Sequence, residues 1–376
     1  MGDDANGGPP ARPILPFQVV ALCPSISHIR SRADIMTNIA RIERLLGAAM
    51  WSASLQLTPR LVTIPEGALQ GFTDEIHDID HERYAADYAI DLPGPETDRL
   101  AEMCARYDVF LMATAKARHP EFQRRFFNVG FVLSPEKQIV LKHYKVAPLP
   151  PYEKSLTPHS VWDKWVALYG RTIDAFYPVA DTAIGRLGFI IANEAAYPEN
   201  ARGLALNGCE IAYRGPYPSA FFAGIQNRAR ALDNNMYVIG SSVGPALPPP
   251  DDGLAGGAMD TSWRHSMVVD YTGRVLAEMT HGGAATFLTA TIDVESLRDY
   301  RIRSAWGTWL KDLPTEQYLL LYENPIFPKN LWLSRPPVSA QEYRDQVLAA
   351  QVQLMIERGI WRRPAWLHGE PGEKAP

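Results

Sequence analysis

Short apolar runs rich in β-branched residues alternate along this chain with segments of helical period, and that alternation limits the possible folds more than any other feature. "PFQVVALCPS" reads as a buried strand, and the following "SRADIMTNIARIERLLGAAMWSAS" carries apolar residues at helical spacing behind a Ser/Asp start signal. "PRLVTIPEG" is a second strand, "ETDRLAEMCARYD" a second amphipathic helix and "VFLMATA" a third strand. The period then changes: "FFNVGFVLSPEKQIVLKHYK" reads as a hairpin turning at Ser134-Pro135-Glu136. Alternation resumes through "GRLGFIIA", "NARGLALNGCEIAYRG", the helix "FAGIQNRARALDNN" and the strand "MYVIGSSVG". "WRHSMVVDYTGRVLAEM" makes a second hairpin with Tyr271-Thr272-Gly273 at its turn, and "ATFLTATID" adds one more strand. Such an order belongs to a layered α/β protein. With 376 residues, 46% of them hydrophobic, the length permits one large domain or two smaller ones.

The organisation expected is a disordered leader over 1–13, a core domain over 14–295 and a Pro- and Trp-rich extension over 296–376. The extension ends in the amphipathic "SAQEYRDQVLAAQVQLMIERG", expected to pack on a partner subunit. A net charge of -5 and the lack of any Lys/Arg run exclude a nucleic-acid groove and point to a small, non-polymeric substrate. The start "MGDDANGGPP" does not read as a signal peptide, and no apolar run is long enough for a bilayer span, so no membrane partner is expected. Cys23, Cys104 and Cys209 lie far apart and outside any CxxC pair, which fits a reducing cytoplasm rather than a disulfide framework or thiolate metal site.

Polar residues end several of the apolar runs. Glu66 closes "LVTIPE", where desolvation would raise its pKa and suit it to general-base work; the alternative is a solvated loop acid. Lys145 ends "IVLKHYK" in the same manner and could stabilise an oxyanion or hold a carboxylate ionised, unless it is an ordinary edge-strand lysine. Glu153 follows after the proline-stiffened "VAPLPPY", which could fold back over the same place. The stretch "GFIIANEAAYPE" has the form of a strand delivering a reactive side chain, followed by Pro198 and Glu199 at a helix start, yet the delivered residue is Ala192.

Together these segments resemble the nitrilase superfamily of carbon-nitrogen hydrolases, and within it the aliphatic amidases and formamidases. "IPEGALQGF", "IVLKHYKVAP" and "IIANEAAYPENARGLALNGCEI" stand in the order of that family's Glu, Lys and Cys motifs, "RARALDNNMYVIGSSVG" resembles its "RA-x-EN-x-YV" unit, and "WRHSMVVDYTGRVLAE" its "GHS…G-DGR-LGE" hairpin. The resemblance implies a four-layer αββα sandwich, a homo-oligomer and no cofactor. It also implies Glu66 as base, Lys145 as oxyanion partner, Glu153 as the additional glutamate that positions substrate, and the Asn193 backbone N–H as a second oxyanion donor. The substrate class implied is a small amide, with a nitrile as the alternative.

The departure is Ala192, which stands where the family has its cysteine. Cys23, Cys104 and Cys209 read as core residues and none can replace it. The chain as it stands is expected to bind without acyl transfer. Retention of Glu66, Lys145 and Glu153 favours a replaced nucleophile over a natural pseudoenzyme, because buried charges cost folding energy unless function keeps them.

The segment between Glu153 and the platform carries Trp162 and Trp165 and is expected to act as a lid or pocket wall that could admit a larger acyl group, an aromatic one included. Tyr217, Phe221 and Phe222 of "RGPYPSAFFAG" are expected to add pocket surface. The insertion "HDIDHE", with His77, Asp78, Asp80, His81 and Glu82, has ligand-type residues but reads more simply as a solvated loop, so no metal site is assigned. His265 reads as a satisfied core histidine.

Overall fold

The computed structural model describes residues 12–215, 220–243, 265–279 and 285–367. Its strands are β1 (Phe17–Cys23), β2 (Pro59–Thr63), β3 (Phe110–His119), β4 (Phe122–Leu133), β5 (Ile139–Tyr144), β6 (Ala180–Thr182), β7 (Gly185–Ile190), β8 (Ile211–Arg214), β9 (Tyr237–Gly240), β10 (Ser266–Val269), β11 (Val275–Met279) and β12 (Thr286–Ile292). They form two six-stranded sheets, ordered β12-β1-β2-β3-β4-β5 and β11-β10-β9-β8-β7-β6. Each sheet has a parallel centre, β1-β2-β3 in one and β7-β8-β9 in the other, continued on both sides by antiparallel strands.

Side-chain alternation explains the layering. In β1, Phe17, Val19 and Ala21 face the second sheet and meet Phe189, Ile211 and Ile239 in the inter-sheet core. Val20 and Leu22 point the other way, onto Ile35, Ile39, Ile42 and Leu46 of helix Asp34–Ser54. A strand buried on both faces must read as an unbroken apolar run, which is what "FQVVALC" does. On the outer face of the second sheet, helices Pro198–Leu206 and Ala220–Asn234 cover Ile190, Ala212, Val238 and Met267. The result is the expected four-layer αββα sandwich.

The sheets come into close contact at Gly130 of β4. A Cβ there would lie 2.6 Å from Cδ1 of Phe189 in β7, so only glycine lets that ring lie against the backbone.

One expectation is corrected. The insertion after Phe72 is solvated only in part: His77, Asp78 and Asp80 are exposed, but it forms two short helices, Thr73–His77 and His81–Asp87, in which Asp74 and His81 are fully buried. His81 stacks on Phe126 at 4.5 Å with Nδ1 2.9 Å from the Lys154 carbonyl, and Lys116 of β3 pairs with both Asp74 and Glu75. Asp74, Glu75 and His81 thus find their partners inside the protein. The extension, for its part, docks first on its own chain. Asn330 and Trp332 donate main-chain bonds to the carbonyls of His159 and Ser160 (3.1 and 3.0 Å), Ala340 N donates to Asp78 Oδ1 (3.1 Å), and Trp332, Ala340 and Val347 are buried. Helix Ala349–Glu357, beyond them, buries none of its residues.

Gly130→Ala should lower stability by about 1–3 kcal/mol, because the added methyl has no free volume and must displace Phe189. Urea unfolding would show this as a lower midpoint at unchanged slope. An unchanged midpoint would mean that the sheets can part there at no cost.

Candidate active site

Each sheet sends a chain segment into one place. Glu66 follows β2 and Lys145 follows β5, both in the first sheet; Ala192 follows β7 in the second. Lys145 leaves the sheet edge but is not an edge lysine, since only 1% of it is exposed. Its Nζ donates to Glu66 Oε1 at 2.9 Å and to Glu153 Oε2 at 2.7 Å. Asn128 of β4 lies beside it and donates from Nδ2 to Glu66 Oε1 (2.6 Å) and Glu153 Oε1 (2.8 Å).

Glu153 reaches this place because the proline-rich segment turns back. Glu153 N donates to the Leu149 carbonyl (2.9 Å), Leu149 N to Glu153 Oε2 (3.1 Å), and Leu156 N to the Phe126 carbonyl (3.0 Å), which lays the returning chain along β4. Ser155 Oγ supplies one more donor to Glu153 Oε1 at 3.0 Å.

Glu66 and Ala192 meet across Gly215, the residue after β8. A Cβ on Gly215 would lie 3.1 Å from Ala192 N and 3.5 Å from Glu66 Oε2, so carboxylate and platform share the small space that this glycine leaves open. Ala192 has φ of 43°, in the left-handed region. That conformation costs a non-glycine residue roughly 1–2 kcal/mol, and it is over-determined here by a residue that strand-end reasoning missed.

Glu194 is fully buried and holds the turn from three sides. Its Oε2 accepts from Ile191 N (2.6 Å), its Oε1 from Val146 N (2.6 Å), and His143 Nε2 of β5 lies 3.0 and 3.1 Å from the two oxygens. One carboxylate therefore ties the strained turn at 192 to the chain on both sides of Lys145. The Asn193 side chain adds a further tie, donating from Nδ2 to the Pro148 carbonyl at 2.7 Å.

Electrostatics follow from burial and pairing. Burial pushes the Glu66 carboxyl above its ordinary value; the Lys145 ammonium pulls it back, and the charge of Glu153 adds to the rise. Burial acts on Glu153 in the same sense but is outweighed by the ammonium groups of Lys145 and Lys116, which hold it below the usual range. Burial would lower Lys145, but Glu153 and Glu66 outweigh it and keep the ammonium protonated. The site thus holds one carboxyl poised to exchange a proton, one fixed anion and one fixed cation.

The three cysteines offer no substitute nucleophile. All are buried, and burial pushes the thiols of Cys104 and Cys209 up to about 12. Cys23 Sγ lies 3.0 Å from Ser266 Oγ, and Cys209 Sγ meets the carbonyl of Ile211.

The expected pocket residues divide. Trp165 packs with Tyr144, Tyr169 and Phe127 (centroids 4.9, 4.5 and 5.9 Å) and donates Nε1–H to the Ala175 carbonyl. It is a core residue, and Trp162 is the one that lines a cavity. Phe222 is 51% exposed on helix Ala220–Asn234. Tyr217 and the Phe221 side chain lie outside the described residues. His265 pairs with Glu278 Oε1 at 2.5 Å. Among the described residues no three His, Cys, Asp or Glu side chains gather as metal ligands. The missed members, Asn128, His143 and Glu194, carried one signal in sequence: each is polar within or just after an apolar buried strand, where an unpartnered polar group is costly.

A glutamate, a lysine and a strained turn thus meet between the two sheets, and comparison with known proteins gives the class of protein to which they belong. Residues 20–302 match the family model described as carbon-nitrogen hydrolase, and the chain belongs to that family. It is 28% identical over 295 residues to the mouse (Mus musculus) omega-amidase NIT2, spanning 76% of this chain and 91% of that protein. It is 25% identical over 235 residues to a formamidase of Helicobacter acinonychis (strain Sheeba), spanning 61% and 62%. The crystal structure of a carbon-nitrogen hydrolase from Helicobacter pylori G27 superposes with a TM-score of 0.61 at 19% identity, over 82% of this chain and 99% of that one.

Glu194→Ala should cost about 3 kcal/mol or more, because two buried backbone N–H groups and His143 lose their shared acceptor. Chemical denaturation of the purified variant measures this, and a loss under about 1 kcal/mol would show that the turn is held by something else.

Proposed function

We propose that this site binds small carboxamides and that, with a thiol at position 192, it hydrolyses them to the carboxylic acid and ammonia. One observation carries the reading: Glu66 accepts a hydrogen bond from Lys145 and also faces the backbone of Ala192, which keeps the left-handed turn although alanine gains nothing from it. The residue types then give the steps. Glu66 takes the thiol proton, and the thiolate attacks the carbonyl carbon. Lys145 and the Asn193 backbone N–H stabilise the oxyanion. Collapse of the adduct expels ammonia, which carries away the proton held by Glu66, and a thioester remains. Water, deprotonated by Glu66, hydrolyses the thioester and regenerates the thiol.

With alanine at 192 the same steps have no nucleophile, so the chain in this form binds and does not turn over. Glu66, Lys145 and Glu153 persist in full burial, which favours a replaced nucleophile over a site released from function long ago. A homo-oligomer in a reducing cytoplasm belongs to the same reading: Leu206, Ile225 and Leu232 are exposed on the outer helices, and Ile360, Trp361 and Trp366 are exposed at the end of the extension, a surface suited to a second copy of the chain.

Ala192→Cys should release ammonia from a panel of small amides at rates several orders of magnitude above the parent chain. Release from nitriles alone would replace the amide reading by a nitrile one, and tight binding with no release from either would make the chain a binding protein.

The pH profile gives a separate check on the base. Glu66 must be ionised to accept the thiol proton, and its pKa in the folded protein is raised. Activity of the Ala192→Cys form should therefore rise with pH through a limb above the ordinary glutamate value of about 4.3. A limb at or below that value would rule Glu66 out as the base.

A further inference from the structure

Beside the charged site lies a cavity of about 480 Å³, far larger than a formamide-sized substrate needs and within the roughly 300–1,000 Å³ range of ligand pockets. Several of its wall residues belong to the site or are bonded directly to it. Glu153 accepts from Lys145, the Pro148 carbonyl accepts from Asn193, and Asn200 Nδ2 donates to the Glu194 carbonyl at 3.0 Å. Much of the rest of the wall is aromatic, with Trp162, Phe176 and Tyr177 from the body and Tyr322, Phe327 and Trp332 from the extension. Trp162 and Phe176 are stacked at 5.1 Å.

The extension is stapled across this cavity. Trp332 and Asn330 are held by main-chain bonds to Ser160 and His159, and Asn330 Nδ2 donates to Asp163 Oδ2 at 2.7 Å. Between Pro314 and Phe327 the strap buries no residue, and among the described residues its side-chain tie to the body is Tyr322 Oη donating to Glu199 Oε1 at 2.7 Å. An aromatic wall so loosely covered leaves apolar surface open to water unless a ligand fills it.

We propose that this cavity receives an aromatic ring, so that the carboxamides bound here are ring-bearing, with the amide end toward Glu153 and the ring between Trp162 and Trp332 under the strap. The proposal rests on the amide-binding reading and adds the substrate class to it. Stacking and burial of one ring supply the selectivity.

The chain as it exists, with Ala192, allows binding to be measured without turnover. Calorimetric titration with 3-phenylpropionamide and with acetamide should show the former binding about tenfold tighter or more. Trp162→Ala and Trp332→Ala should each shrink that ratio by about threefold or more. Circular dichroism checks that each variant is folded, and Trp162, which is only half-buried, keeps the test open if Trp332→Ala fails to fold. Equal affinities, or a ratio that neither substitution changes, overturn the proposal. The Ala192→Cys form separates the two readings: ammonia released from acetamide and 3-phenylpropionamide without preference overturns the ring subsite and leaves amide hydrolysis standing. A ring preference in binding, lost in the tryptophan variants, with no ammonia from any amide supports the subsite and sinks the hydrolase.

Discussion

The buried ammonium of Lys145, held between the carboxylates of Glu66 and Glu153, is the interaction on which the arrangement of the site depends. Three ionisable groups removed from water carry a desolvation cost that only close and complete pairing offsets. Each has more than one partner: Glu153 accepts four hydrogen bonds, Glu66 two, and Asn128 bridges both carboxylates. Because those partners come from β4, from the ends of β2 and β5 and from the returning proline segment, the charges fix the relative positions of four pieces of chain. Loss of one partner would leave an uncompensated buried charge, worth about 3–5 kcal/mol.

The second sheet is locked to this cluster by a different device. Glu194 links the turn at Ala192 to His143 and Val146, which flank Lys145, so the platform cannot move without breaking bonds to the strand that carries the lysine. This explains how an alanine can be held at positive φ. The local cost is about 1–2 kcal/mol, and several buried hydrogen bonds to a carboxylate oppose it. The strain thus belongs to the scaffold and does not depend on which side chain occupies position 192.

Much of this was legible in the sequence, for reasons that differ by element. Period 2 and period 3.6 patterns located the strands and their helices because most of the strands are buried on both faces and most helices on one. Glu66, Lys145 and Glu153 stood out because charge at the end of an apolar run is conspicuous. Asn128, His143 and Glu194 were not legible, since their partners lie 25 to 62 residues away and only the sheet order brings them together. The "HDIDHE" insertion was read correctly for His77, Asp78 and Asp80, which are exposed, but misled at His81, which is polar yet finds an aromatic face inside. Trp165 misled for a related reason, because spacing shows that a helix has an apolar face but not which core that face joins.

The retained charges also bear on what a chain without a nucleophile is for. Apolar residues of similar volume in place of a buried ion pair often leave a protein as stable or more so, so stability alone gives no reason to keep Glu66, Lys145 and Glu153 once chemistry has gone. A second buried ion cluster adds to the burden: Lys116 is paired with Asp74 and Glu75, on the far side of Asn128, and its charge helps to hold Glu153 ionised. Two such clusters in contact are costly and mutually dependent, which makes piecemeal loss difficult but does not explain their presence. The proposed amide ligand does explain it, since an amide beside Glu153 would meet a fixed anion, a fixed cation and a carboxyl whose pKa burial has raised. These are the features a carbonyl group needs from its surroundings whether or not a sulfur atom stands at position 192 to attack it.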